Sequence, residues 1–291
     1  MAKLLEMKKI CKSFSGTQIL FDVDFDVEKG QVHALVGENG AGKSTLIKIL
    51  AGVHRQDSGE VWLDGKRAEL KSPRDAFDHG VSTIHQELNL VPHIDVAANI
   101  FLGNETARGG ILKKREMYEK TEALLKRVGA DIRPNTLVSR LGVAEKQMVE
   151  ICKALSINSK LIIMDEPTAV LSTKEIDKLF AVIDAVKAEG ISVIYISHRL
   201  EELPRIADRV SVLRDGHMIG QVEGEFTKEK ITRMMIGRDL KEQFPYAPRE
   251  IGDVVLKVEH LNSGGFLKDI SFEQMCIRDR HHRGLLHIGA D

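Results

Sequence analysis

A short, mostly apolar run, Val32–Val36, feeds directly into Gly37-Glu38-Asn39-Gly40-Ala41-Gly42-Lys43-Ser44-Thr45, and a helical face of Leu46, Ile47 and Leu50 follows. No other stretch constrains the fold as strongly. Gly37-x-x-x-x-Gly42-Lys43-Ser44 is the pattern of a phosphate-binding loop. Its glycines let successive backbone N–H groups turn inward and cradle phosphate oxygens. The helix behind adds the partial positive charge of its N-terminus. Lys43 reaches the β- and γ-phosphates in such a loop, and the Ser44 hydroxyl ligates Mg²⁺. A flexible Gly-rich turn is the alternative, and the strand before and helix after argue against it.

Five further residues carry chemistry beside such a loop. Leu161-Ile162-Ile163-Met164 ends in Asp165-Glu166. An aspartate at a strand's C-terminal end can hold Mg²⁺ through water, and a glutamate one residue on can polarise an attacking water. On its own the pair reads as a buried strand ending in a solvated acidic turn. His198, in Ser197-His198-Arg199 after the strand-like Ile191–Ile196, can bond a γ-phosphate or be a polar turn residue. Spacing alone does not separate the two. Gln86 follows Val81–His85 and can contact Mg²⁺ and water, against the reading of a surface amide. Phe14 can stack on a purine ring, although the residue alone favours ordinary core.

Around these positions strand and helix patterns alternate. Met148, Ile151, Cys152 and Leu155 share one helical face, as do Ile176, Leu179, Phe180 and Ile183. Lys113–Val128 reads as an amphipathic helix, Thr106–Gly110 as a polar loop and Gly59–Gly65 as a hairpin. Strand–helix–strand alternation predicts parallel pairing with right-handed crossovers. After Met235 the character changes. Residues 241–253 read as a linker, and Val254–Val258 and Leu267–Phe272 as two strands. From Gln274 onward the pattern fails.

At 291 residues, 43% hydrophobic and 29% charged, the chain has the make-up of a globular protein of about two domains. Its 42 basic and 43 acidic residues leave a net charge of −1, which argues against coating nucleic acid. The apolar runs fall far short of the ~20 residues of a membrane span. Lys3, Glu6, Lys8 and Lys9 interrupt any signal peptide, and Cys11, Cys152 and Cys276 lack disulfide or metal spacing. A cytosolic α/β chain is expected.

GENGAGKST, IHQELNL, LGVAEKQMVEICKAL, LIIMDEPTAVLS and YISHRLEEL, in that order, resemble the nucleotide-binding subunit of ABC transporters. IHQELNLVPHIDVAANIFLG, KQMVEI and MMIGRDL narrow the resemblance to ATP-binding proteins of bacterial monosaccharide importers of the ribose, galactose and xylose type. The likeness runs from residue 3 to about residue 273. It implies an α/β P-loop NTPase fold: a RecA-like parallel sheet, an antiparallel β-subdomain, and a helical subdomain near Glu87–Leu155. It makes Phe14 the adenine-stacking aromatic, Gln86 the Q-loop glutamine, Glu166 the catalytic glutamate and His198 the switch histidine. Leu141, Gly142, Val143, Ala144 and Glu145 fall on the family's signature. ATP and Mg²⁺ are the implied cofactors. The implied partners are two membrane permease subunits, a sugar-binding protein beyond them, and a second nucleotide-binding domain or second copy. The implied place is the cytoplasmic face of the membrane.

Two departures stand out. The family's signature opens Leu-Ser, and here Gly142 follows Leu141, which removes a hydroxyl that would touch the γ-phosphate on the facing domain. The family also fuses two such domains. Here residues 1–240 match the first, residues 254–273 match only the opening strands of the second, and residues 274–291 are expected to be foreign to the native chain. Rivals are a nucleotide-binding fragment without transport activity and an ABC ATPase acting on ribosomes or DNA. The charge balance and the short linker count against the latter. A GTPase is disfavoured because no Asn-Lys-x-Asp occurs.

Overall fold

The computed structural model describes residues 2–86, 89–108, 111–224, 226–236, 254–263 and 267–275. The chain divides into two compact units, Met1–Gly237 and Arg238–Asp291.

The first unit opens with two long strands, β1 (Lys3–Phe14) and β2 (Thr17–Glu28), followed by β3 (Val32–Val36) and α1 (Lys43–Leu50). The predicted hairpin follows as β4 (Ser58–Leu63) and β5 (Lys66–Ala68). Helix α2 (Pro73–Asp78) then leads into β6 (Val81–Ile84). The order β2-β1-β4-β5 makes an antiparallel four-stranded sheet.

The helical layer holds α3 (Val96–Ile100), α4 (Lys114–Arg127) and α5 (Val143–Ser156). Asp95 caps α3 by accepting from Ala98 N–H at 2.7 Å, and its other oxygen accepts from Tyr118 of α4 at 2.8 Å. Buried Asn99 pins the segment before α3, accepting from Val91 N–H at 2.7 Å and donating to Val91 C=O at 3.1 Å. Between α3 and α4 the expected polar loop is instead a short hairpin, β7 (Ala107–Arg108) against β8 (Ile111–Leu112).

The rest of the first unit is β9 (Leu161–Asp165), α6 (Thr173–Ala188), β10 (Ser192–Ile196), α7 (Leu203–Ile206), β11 (Arg209–Arg214), β12 (His217–Glu223) and α8 (Lys228–Ile236). A six-stranded sheet runs β12-β11-β3-β10-β9-β6, parallel except for the antiparallel edge β12. Both faces of its central strands are covered, which explains apolar runs without polar alternation. Successive residues alternate between two cores. Ile162, Met164, Val193 and Tyr195 face one with α5 and α6, while Leu161, Ile163, Ile194 and Ile196 face the other with α1 and the antiparallel sheet.

In the second unit β13 (Val254–Ser263) pairs antiparallel with β14 (Leu267–Met275). Both outrun the expected strands, and β14 continues through Gln274 and Met275, past the point where the sequence pattern fails. Pairing across the ladder, Val254 with Met275 and Leu256 with Gln274, sustains the strand without apolar alternation. The expected linker and residues 276–291 lie outside the described residues. Among the described residues no helix is long and apolar enough to cross a membrane.

Candidate nucleotide site

Parallel strands put their C-terminal ends along one edge, and the turns there carry the predicted residues. The loop Gly37–Gly42 joins β3 to α1. A Cβ on Gly37 would lie 2.1 Å from the carbonyl oxygen of Leu213 on β11, so only glycine fits. Gly42 sits at φ +102° with Leu20 of β2 2.7 Å from where its Cβ would be. The turn joining β11 to β12 braces the loop from behind, Gly216 N–H donating to Ala41 C=O at 3.1 Å. Glu38, Asn39, Gly40 and Ser44 are exposed, Thr45 is half-buried and Ala41 is buried.

The Lys43 ammonium folds across the loop, donating to Gly37 C=O at 2.7 Å and Glu38 C=O at 3.0 Å. Burial pulls its pKa below the ordinary lysine value, and the Glu166 and Asp165 carboxylates oppose that pull. Asp165 ends β9. Burial and the Glu166 charge raise its pKa, offset by His85, Lys43 and Lys48.

Glu166 leaves β9 at φ +49°, an uncommon backbone for a non-glycine residue. Its N–H donates to Ile196 C=O of β10 at 2.9 Å. Its Oε1 lies 3.1 Å from Nδ1 of His198, which follows β10. The two residues thus form one unit. Gln86 is exposed just past β6, at the start of the segment that Asn99 pins.

Phe14 closes the β1–β2 hairpin opposite Thr17 and is 38% exposed, so the reading of ordinary core does not hold. Its ring stands edge-on to His54 at 5.1 Å, with the Lys12 ammonium 5.3 Å from its centre. Leu141–Glu145 lead into α5 on the helical layer, with Val143–Glu145 in its first turn. Gly142 is the N-cap, and its N–H donates to Glu145 Oε2 at 2.8 Å, so glutamate supplies half of a capping box. Leu213 and Gly216 were not singled out by the sequence. The Asp215-Gly216 turn between alternating residues was the signal that could have found them.

A site with a backbone cradle, a lysine and an acid–histidine pair can bind a polyphosphate and direct water at it. Comparison with known proteins gives the family. The family model described as ABC transporter matches residues 20–169. A ribose import ATP-binding protein of Rubrobacter xylanophilus is 48% identical over 271 residues, covering 93% of this chain and 54% of that protein. A galactose/methyl galactoside import ATP-binding protein of Clostridium tetani is 48% identical over 277 residues, covering 93% and 55%. The chain spans about half the length of these curated relatives. Among solved structures, the ADP conformation of an ATP-binding cassette of an ABC transporter superposes with a TM-score of 0.73. It is 28% identical and covers 82% of this chain and all of the other. With the family model matching over half of its length, the chain belongs to the ABC transporter family.

Proposed function

We propose that the chain is the ATP-binding and ATP-hydrolysing part of a monosaccharide importer. The observation that carries this reading is the Glu166–His198 pair at 3.1 Å, beside a loop whose lysine feels the Asp165 and Glu166 charges. Lys43 would trade its two carbonyl partners for phosphate oxygens, and the loop amides would cradle the rest. Glu166 would polarise the attacking water, and His198 would hold Glu166 and the γ-phosphate in register. Phe14 would stack on the adenine.

The oxygen donors of Ser44, Gln86 and Asp165 suit Mg²⁺, a hard cation usually bound by one or two carboxylates and substrate phosphates. Asp165 fits that use: half-buried next to Glu166, its charge is relieved by a cation. When bound, Mg²⁺ neutralises charge on the β- and γ-phosphates.

The names of the relatives support sugar import. On this reading two nucleotide-binding domains close over ATP at the cytoplasmic face of the membrane. They move two permease subunits, which receive sugar from a binding protein on the far side. The segment after Gln86 borders a cavity of about 330 Å³ lined by Phe77, His85, Asn89, Leu102, Asn104 and Glu150, which suits contact with a permease.

Titration with a fluorescent ATP analogue tests the site. Lys43→Ala should weaken binding about 10- to 150-fold, the worth of a hydrogen bond to a charged group, with the fold intact. Unchanged affinity would refute the assignment of the loop.

A further inference from the structure

Behind Glu166 and His198 lies another carboxylate, Glu202, in the turn before α7 and only 9% exposed. Its Oε2 accepts hydrogen bonds from Tyr195 at 2.7 Å, Thr168 at 2.9 Å and Ser197 at 3.3 Å, all three buried. Its Oε1 faces the Arg199 guanidinium at 3.5 Å. A carboxylate persists out of water only where hydrogen bonds and a countercharge compensate, and here three hydroxyls and a guanidinium do.

The four partners are not one stretch of chain. Thr168 lies two residues past Glu166, and Ser197 and Arg199 flank His198. Arg199 also donates its N–H to Ser197 Oγ at 2.9 Å and reaches Ala169 C=O at 3.5 Å. Glu202 therefore joins the segment leaving Glu166 to the segment carrying His198. Glu166 holds a left-handed backbone that endures only where its surroundings determine it. Beside the Glu166 N–H bond to Ile196 C=O, the Glu202 node is a part of those surroundings whose side chains come from both segments.

We propose that Glu202 is a positioning residue for hydrolysis: it locks the Thr168 and Ser197 segments together and so keeps Glu166 and His198 at bonding distance. It touches no reacting atom. This rests on the roles proposed above for Glu166 and His198, and extends them to a residue outside the nucleotide site.

Glu202→Gln is the test. If the amide oxygen keeps the three hydroxyls, the NH₂ group faces the Arg199 guanidinium; if the NH₂ faces the hydroxyls, its two hydrogens can serve at most two of the three, so part of the node breaks in either orientation. Single-turnover ATP hydrolysis should slow about 10- to 100-fold, with ATP affinity within about twofold of wild type. In a His198→Ala chain the same substitution should change the rate less than about threefold, because one of the groups it positions is gone. An equal fold-loss in both backgrounds, or a loss in ATP affinity in place of rate, would overturn the proposal. Tyr195→Phe keeps the buried charge and removes one donor. It should give a smaller loss of the same kind, about 3- to 10-fold, even if Glu202→Gln folds poorly. Hydrogen exchange supplies an arm independent of turnover. Glu202→Gln should speed exchange about tenfold or more at residues 166–172 and 197–200 and leave residues 37–45 unchanged. Unchanged exchange at the first two segments refutes the lock. A wild-type chain that binds ATP without hydrolysing it would count against the proposed function, and exchange would then decide the lock alone.

Discussion

Replacing Gly142 by serine separates a capping effect from a catalytic one. Gly142 sits at φ −68° and ψ 170°, an extended backbone open to any residue, and the nearest atom to an added Cβ is Glu145 Oε2 at 3.7 Å. Serine therefore enters without strain. Serine and glycine differ by only a few tenths of a kcal/mol as N-caps, and Glu145 already satisfies the Gly142 N–H. The melting temperature should move less than about 2 °C. The rate should move much more. The family resemblance places this hydroxyl against the γ-phosphate of the facing domain, and a hydrogen bond to a charged group is worth roughly 1.5–3 kcal/mol. Felt in the transition state, that is about 10- to 150-fold. Two copies of this chain would offer Gly142 to each other's Lys43 loop, so Gly142→Ser should raise phosphate release at saturating Mg·ATP by that factor. The family resemblance implies that, in a two-domain protein of the length of the relatives, the second domain's signature would face the Lys43 loop. Gly142 would then face the second loop, for which the resemblance implies Arg in place of Lys and a weaker site. The same change there should alter the rate little. Equal acceleration in both proteins would refute this assignment of the signature.

Glu166→Gln keeps the shape and a bond to His198 but removes the carboxylate. ATP should bind within about threefold of wild type while turnover falls about 100-fold or more, read as phosphate release against nucleotide titration; turnover within twofold would strip Glu166 of its role. Gly37→Ala drives a methyl into the Leu213 carbonyl, 2.1 Å away, and should cost about 1–3 kcal/mol in urea unfolding. A stability equal to wild type would mean that β11 does not close the loop from behind. His33 is buried under Ser211 and Phe25, and burial, aided by Arg209, lowers its pKa to about 3. Unfolded His33 takes up a proton near pH 6.5 and folded His33 does not, so its contribution to stability is whole above pH 6.5. It should be lost toward pH 3 by about 1.4 kcal/mol per unit. Urea midpoints of a His33→Gln chain should flatten over that range, and an unchanged slope would refute the assignment.

What the sequence showed plainly was local. Gly37–Thr45 folds from its own residues plus the strand before and helix after, so its pattern survives without tertiary knowledge. Asp165 and Glu166 were legible because a buried strand ended at them. Phe14 was not. By itself it reads as core, and its exposure follows from the hairpin turning at Ser15-Gly16 while Lys12 and His54 gather at its ring. The β11–β12 hairpin passed unremarked, yet Leu213 is what forbids a side chain at Gly37. Glu202 was invisible for a related reason. Glu201-Glu202 reads as a solvated acidic turn, and only the packing of segments some thirty residues apart puts three hydroxyls on one of its oxygens.

The sheet order explains why the site assembles at all. Along β3-β10-β9-β6 the turns present, in sequence, the Lys43 loop, His198, Asp165 with Glu166, and Gln86. The histidine strand lies between the phosphate strand and the acid strand, and Ile196 pairs with Asp165. Glu166 and His198 are therefore neighbours by register, before either side chain chooses a rotamer. That register is fixed well below the site. A one-residue slip of β9 against β10 would send Ile162 and Met164 to the face of Leu161 and Ile163, and each core would lose its matching side chains. The apolar alternation inside the sheet thus sets the distance between the acid and the histidine, and the Glu202 node holds the two turns once the strands have placed them.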